Sequence, residues 1–303
     1  MVEFRDYQIQ IIEKAKGVLQ AHRFVYLSME VRTGKTLTAL GVAEKLGITN
    51  LLFVTKKKAI GSIEADYKKL MPGYQITVIN YESLHKVTGK FDLLVLDEAH
   101  TLGAYPKPSK RTKLVKEIIL RQNPFVILMS GTPTPESFSQ IYHQVYACPK
   151  NPFIEYKSFY KFAKEYVNVV QKIINSFHIN NYDDGKPAIL DRMKPYMISY
   201  TQKEAGFKSE IREHVLKVKM SELTYNFVKE MREYGIITGK KTKEVILGDT
   251  GVKKMSKIHQ LFSGTVKLEN GKRMVTDLSK AKFIRSEFKD KKVGIYYKFK
   301  AEY

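Results

Sequence analysis

Short apolar runs recur along the first half of the chain, and between them apolar residues fall at three- and four-residue spacing. The runs at 24–27, 51–54, 76–79, 93–96 and 125–129 have strand length, and most are followed by a polar or glycine-containing turn. A strand that is apolar throughout must be covered on both faces, the condition of a parallel strand in a layered sheet. The periodic stretches at 7–19, 37–46, 60–70 and 114–121 supply the covering helices. Such alternation predicts an α/β fold, a doubly wound parallel sheet with helices on both faces, over residues 1–147.

Past Pro149 the alternation stops and aromatics crowd between Phe153 and Phe162. Aromatics at that spacing build a helix core more readily than a base-stacking platform. The expectation for 148–208 is a mainly helical connector, with a loop at 180–187 where Asn, Asp, Gly and Pro cluster. From 209 to 303 the pattern predicts a strand at 213–218, a helix at 222–234, a basic loop at 239–242 and a helix at 254–262. Two strands, 266–268 and 273–275, flank Asn270-Gly271, a strong hairpin signal. A helix at 280–289 and a strand at 293–297 complete the expected elements.

Composition adds constraints. A length of 303 residues and an apolar share of 43% suit two globular domains. No run approaches the roughly 18 apolar residues of a membrane helix, and the start lacks the basic-then-apolar pattern of a secretory signal. A cytoplasmic protein without a membrane partner is expected. Cys148 is the single cysteine, which excludes an internal disulfide and any cysteine-rich metal site. The 52 basic against 31 acidic residues leave a net charge of +21, so a polyanion is the expected partner. Lysine clusters such as Lys56-Lys57-Lys58 and Lys291-Lys292 carry much of the excess.

The candidate chemistry lies at two strand ends. Met29-Glu30-Val31-Arg32-Thr33-Gly34-Lys35-Thr36 follows the first strand and opens a helix, the setting in which backbone N–H groups and a lysine cradle phosphates. Lys35 would pair with the β- and γ-phosphates of ATP, Thr36 would offer its hydroxyl to Mg2+, and Gly34 would let the backbone approach closely. Gly-Lys also occurs at Gly89-Lys90 and Gly239-Lys240, but only the first instance stands at a strand-to-helix junction and is followed by an acidic pair at the end of a buried strand. That pair is Asp97-Glu98, at the carboxyl edge where α/β sheets bind ligands. Asp97 would hold the metal ion and Glu98 would orient and polarise the attacking water.

Asp97-Glu98-Ala99-His100 resembles the DEAH box of superfamily 2 helicases and translocases, whose lobes are RecA-like. Other segments match that family's motifs in order. Phe4-Arg5-Asp6-Tyr7-Gln8 resembles its adenine-recognising segment, which implies base contacts from Gln8, Tyr7 and Arg5, with Thr33 and Gly34 in the phosphate loop. Leu52 to Lys58 and Asn80-Tyr81-Glu82 are similar to segments that touch the nucleic-acid backbone, which implies that role for Lys56, Lys57 and Asn80. Ser130-Gly131-Thr132-Pro133 looks like the motif coupling hydrolysis to nucleic acid, with Ser130, Thr132 and His100 as the link.

The resemblance is closest to the Swi/Snf-like branch, in short members of phage or bacterial type, and implies a DNA-dependent ATPase with ATP and Mg2+ as cofactors. Thr201-Gln202-Lys203-Glu204 and Lys219-Met220-Ser221-Glu222 resemble the entry to a second lobe, expected over 209–303. Met29 and Arg32 depart from the strict glycine-rich loop, and the arginine-rich signature expected before Lys203 is missing. The chain stops before the family's final arginine motif, so the second lobe is expected to be incomplete and a second polypeptide is implied as a partner. Such an arginine contributes roughly 10³–10⁵ in rate, so slow hydrolysis by this chain alone is expected. Two rivals stay open, a non-catalytic nucleic-acid-binding module and an RNA helicase.

Overall fold

A computed structural model describes residues 3–174, 177–207, 212–239 and 244–303. The chain divides into two compact units, Met1–Ser209 and Glu210–Tyr303.

The first unit opens with α1 (Asp6–His22), β1 (Phe24–Met29), α2 (Lys35–Leu46), β2 (Asn50–Thr55), α3 (Ile60–Leu70) and β3 (Gln75–Asn80). It continues with β4 (Leu93–Asp97), α4 (Lys110–Gln122), β5 (Phe125–Met129), α5 (Ile141–Val145) and α6 (Phe159–Tyr166). The unit closes with β6 (Val170–Ile174), β7 (Phe177–Asn181), α7 (Ala188–Met193) and β8 (Met197–Tyr200). Six of these strands form one parallel sheet in the order β3-β2-β4-β5-β1-β8.

Alternation along the strands divides the core in two, because successive side chains leave a strand on opposite faces. Val25, Leu27, Leu51, Phe53, Leu93, Val95 and Ile127 pack under α1, α2 and α3. Tyr26, Leu52, Val54, Leu94, Leu96, Val126 and Leu128 pack under α4 to α7. The aromatic stripe belongs to the second face: Phe153, Phe159, Phe162 and Tyr166 are buried against one another and make this core, not a stacking platform.

All five expected strands of the first half form, within a residue or two at their ends. The segment expected to be a mainly helical connector is mixed. It holds the antiparallel hairpin β6–β7 and then β8, which pairs in parallel with β1 from Tyr26↔Met197 to Met29↔Tyr200. Residues 148–207 thus complete the first unit's sheet and core instead of standing apart from it. The physical reason is that β1 exposes a backbone edge beyond β5, and a strand edge is satisfied only by another strand.

The second unit contains α8 (Glu222–Tyr234), β9 (Ile236–Thr238), β10 (Val245–Leu247), α9 (Gly251–Phe262), β11 (Thr265–Lys267), β12 (Arg273–Val275) and α10 (Ser279–Glu287). Both strand pairs are antiparallel. The hairpin read from Asn270-Gly271 forms, with Gly271 at φ 85° and Leu268 N–H donating to Lys272 O at 2.8 Å. Val228, Met231, Ile237, Ile246, Leu261, Val266 and Leu268 make a small core. The strands expected at 213–218 and 293–297 do not form. Leu216, Val293, Ile295, Tyr296 and Tyr297 are exposed, and with no strand paired to them among the described residues, an apolar run gains nothing from extended structure. The expected basic loop at 239–242 lies outside the described residues from Lys240 onward.

Candidate active site

Along one edge of the sheet the carboxyl ends of β1, β5, β4, β2 and β3 follow in that spatial order, which gathers segments from five places in the sequence. Beyond β1 the chain turns through residues 30–34 into α2. Gly34 caps α2 at φ 78°, and a Cβ there would stand 2.5 Å from Gln8 Nε2, so glycine is needed for both conformation and space. Arg32 takes the left-handed conformation at φ 65° without being glycine, a strained position that its surroundings must hold.

They do so through the loop's carbonyls. Thr33 Oγ1 donates to Glu30 O at 2.7 Å, Gln202 Nε2 to Val31 O at 2.9 Å, Tyr7 Oη to Thr33 O at 3.0 Å and Gln8 Nε2 to Gly34 O at 3.3 Å. The Lys35 ammonium donates to Met29 O at 2.7 Å and Glu30 O at 3.1 Å. With the carbonyls bound by the chain's own donors, the first-turn N–H groups of α2 and the helix dipole present a positive concavity, which suits an anion. Thr36 lies half-buried in that first turn. Burial lowers the pKa of Lys35, and the negative charges of Asp97, Glu98 and Glu30 oppose the shift. The same ammonium lies 3.7 Å from the place a Cβ would take on Gly131, so the lysine runs beside the end of β5.

Asp97 ends β4 next to Glu98, which occupies the left-handed region at φ 52°. Asp97 Oδ2 accepts from Thr55 Oγ1 at 2.7 Å and Oδ1 from Glu98 N–H at 3.0 Å, while Tyr81 Oη donates to Asp97 O at 2.7 Å. Burial raises the Asp97 carboxyl above the ordinary aspartate range; the Thr55 hydroxyl opposes this, the Glu98 charge adds to it, and Lys35 opposes it more weakly. Glu98 Oε1 is paired with Lys56 Nζ at 3.0 Å, and Glu98 Oε2 lies 3.4 Å from His100 Nδ1. His100 Nδ1 also shares a hydrogen bond of 2.9 Å with Ser130 Oγ, which accepts from Thr132 N–H at 3.1 Å. His100, Ser130 and Thr132 therefore form one continuous polar chain between β4 and β5, ending on Glu98.

The three residues expected to touch nucleic acid diverge. Lys56 is bound to Glu98, Lys57 is exposed in a single 3-10 turn (Lys57–Ala59), and Asn80 Nδ2 donates to Glu82 Oε2 at 2.9 Å. Glu82 is also paired with Arg111 at 2.5 Å. Of the expected base-reading residues, Gln8 is buried and engaged within the chain, its Oε1 accepting from Arg5 N–H at 3.0 Å. Tyr7 stacks on Tyr200 with ring centroids 4.5 Å apart, and an Arg5 guanidinium nitrogen donates to Tyr7 Oη at 3.4 Å.

Tyr200, Gln202 and Glu30 were not found by sequence reasoning. Glu30 N–H donates to Tyr200 O at 3.0 Å, Glu30 Oε2 accepts from Gln202 N–H at 2.7 Å, and the Gln202 carboxamide binds Val31. Thr201-Gln202-Lys203-Glu204, expected to open a second lobe, instead stands against the loop after β1 inside the first unit. The resemblance singled out Thr201 to Glu204 but not this placement, which the pairing of β8 with β1 decides. Gln144 was likewise missed: it accepts from the buried Tyr26 hydroxyl at 2.7 Å and donates to Pro133 O at 2.9 Å, bracing the turn after β5.

Known proteins share this fold. The SNF2-related domain matches residues 23–274. The RNA polymerase-associated protein RapA of Vibrio cholerae is 30% identical over 88 residues, which is 29% of this chain and 9% of RapA. The SWI2/SNF2 ATPase core of Sulfolobus solfataricus in complex with dsDNA has the same fold, with a TM-score of 0.53 at 16% identity over 87% of this chain and 59% of that one. The same organism's SWI2/SNF2 ATPase core domain gives 0.51 at 15% identity, covering 57% of its chain. The chain thus spans less than two thirds of the proteins it resembles. Because the match extends over most of the chain, from β1 through the larger part of the second unit, the chain belongs to the SNF2-related domain family.

Proposed function

We propose that this chain is the ATP-hydrolysing part of a nucleic-acid-stimulated motor of translocase type, acting on DNA. The observation that carries this is the convergence of the Lys35 ammonium with the Asp97 and Glu98 carboxylates on one sheet edge, beside a loop whose carbonyls are already bound. Lys35 and the first-turn amides of α2 would take the phosphates. Among the described residues no group of three or more His, Cys, Asp or Glu could hold a metal ion alone. Thr36 and Asp97 fit Mg2+ nonetheless, since that ion takes hard oxygen donors, one or two carboxylates at most, and completes its shell with water and substrate phosphates. Each Asp97 oxygen accepts one hydrogen bond and retains a lone pair. When bound, Mg2+ supplies charge neutralisation at the transferring phosphoryl group.

Glu98 would hold and orient the attacking water, and the path from Glu98 through His100 to Ser130 and Thr132 would carry the state of that site to neighbouring surface. The choice of DNA follows family membership and the dsDNA in the Sulfolobus complex. The net charge of +21 supports a polyanion of either kind.

Phosphate release should be measured with and without duplex DNA, single-stranded DNA and RNA, for the wild type, Lys35→Ala and Glu98→Gln. Both substitutions are expected to abolish turnover, Glu98→Gln with nucleotide binding kept. Rates unchanged in both variants, or no heat on calorimetric titration of wild type with any Mg2+ nucleoside triphosphate, would overturn the proposal.

A further inference from the structure

Lys56 leaves the end of β2 with its side chain 58% exposed and its ammonium 3.0 Å from Glu98 Oε1. The other oxygen of that carboxylate faces His100 Nδ1 at 3.4 Å. One oxygen of the group assigned to the attacking water is therefore already engaged by the protein itself. Lys57 and Lys58, both exposed, follow directly, so Lys56 belongs at once to the acid pair and to a basic cluster open to a polyanion.

Three physical properties make this pair exchangeable. An ion pair this exposed is weak and is screened by salt. A lysine ammonium is a point charge on a flexible stem, so it can turn from a carboxylate to a phosphate without the planar geometry an arginine requires. Glu98 follows β4 directly, is less exposed than Lys56 and has the shorter stem, so the lysine is the partner that moves.

We propose that Lys56 is a positioning residue that latches Glu98 in the absence of nucleic acid and is drawn away by a backbone phosphate when nucleic acid binds, leaving Glu98 Oε1 for the water. The proposal rests on Glu98 as the water-orienting residue and adds the means by which a polyanion stimulates it. A lysine that only contacted phosphate would, when removed, weaken nucleic-acid binding and leave the unstimulated rate alone. A latch has the opposite signature, since its removal raises that rate.

The test is the unstimulated phosphate-release rate at saturating Mg2+ ATP, then the rate with a blunt DNA duplex. Lys56→Gln is expected to raise the unstimulated rate by about two- to fivefold, the range an exposed ion pair supports, and to shrink the ratio of stimulated to unstimulated rate. Lys56→Arg, which keeps the charge and pairs with a carboxylate more rigidly, should not raise the unstimulated rate. Lys69→Gln, an equal change of charge at an exposed position late in α3, should leave the unstimulated rate unchanged. The gain should vanish in the double variant Lys56→Gln/Glu98→Gln, and the gap between Lys56→Gln and wild type should narrow as salt is raised. An unstimulated rate in Lys56→Gln equal to or below wild type, or a gain that persists in the double variant, overturns the latch while leaving the assignment of Glu98 to its own test. A wild type that hydrolyses nothing even with DNA overturns both.

Discussion

Two aspartates, one in each unit, show what separates the regions. Asp97 ends a buried strand and accepts two hydrogen bonds through its carboxylate; burial raises its pKa. Asp277 accepts from Ser221 N–H, Ser221 Oγ and Thr224 Oγ1, each at 2.7 Å, and from Ser279 N–H at 2.8 Å. Burial works against that charge too, yet the bonds from Ser279, Thr224 and Ser221 outweigh it and hold the carboxyl well below the usual aspartate range. One site leaves a carboxylate poorly compensated at a sheet edge, where a cation can complete it. The other uses a carboxylate to tie α8 to the start of α10, and is complete without a ligand.

The signs of the two shifts make opposite predictions for acid. Asp97 has a native pKa above its unfolded value of about 3.9, so its ionisation opposes folding at neutral pH and that penalty is relieved as pH falls. Asp277 has a native pKa below the unfolded value, so its contribution is present above the unfolded pKa and is lost as pH falls through the native one.

The most severe test of the contrast is Asp97→Asn. Hydrolysis should fall about a thousandfold, equivalent to about 4 kcal/mol of barrier, while the melting temperature without nucleotide holds or rises. The asparagine can still accept from Glu98 N–H and donate to Thr55, so a lowered melting temperature would contradict the view of Asp97 as a functional charge with a folding penalty. Asp277→Ala should do the reverse. It leaves the donors around it unsatisfied and should destabilise the second unit by about 2–4 kcal/mol in urea unfolding, with nucleotide affinity unchanged.

Gln202→Ala probes the first unit alone, because it removes the hydrogen bond that holds Val31 O beside the strained Arg32. Fluorescent-nucleotide affinity should fall about five- to twentyfold, the value of one or two hydrogen bonds, with the fold intact by circular dichroism. The smallest effect is expected from Thr55→Val. It deletes the hydrogen bond that favours ionised Asp97, so in the metal-free protein that carboxyl, already raised above the ordinary aspartate range by burial, should titrate at still higher pH when followed by NMR. An unmoved titration would mean that the Thr55 hydroxyl does not set it.

The four buried strands β1, β2, β4 and β5 were legible because an unbroken apolar run has few other ways to fold, and α8 was legible from its period and from Ser221 at its start. The placement of the loop from Met29 to Thr36 and of the pair Asp97-Glu98 at strand ends was legible because each directly follows an apolar run. Four residues at 197–200 carry no comparable signal; β8 exists because β1 had an edge to fill. The connector was misread for the same reason, and the run at 293–297 in the opposite sense, being strand-like in composition but without a partner strand.

By itself, then, the amino-acid order determined which segments bury themselves and which residue types stand at the ends of β1 and β4, since these depend on local period and side-chain type. Only the tertiary structure decided that Gln202 reaches the loop after Glu30, that Tyr200 stacks on Tyr7 and that Lys56 closes on Glu98. Contacts between distant segments depend on which strand edges pair and in what register, and that choice is a property of the whole sheet.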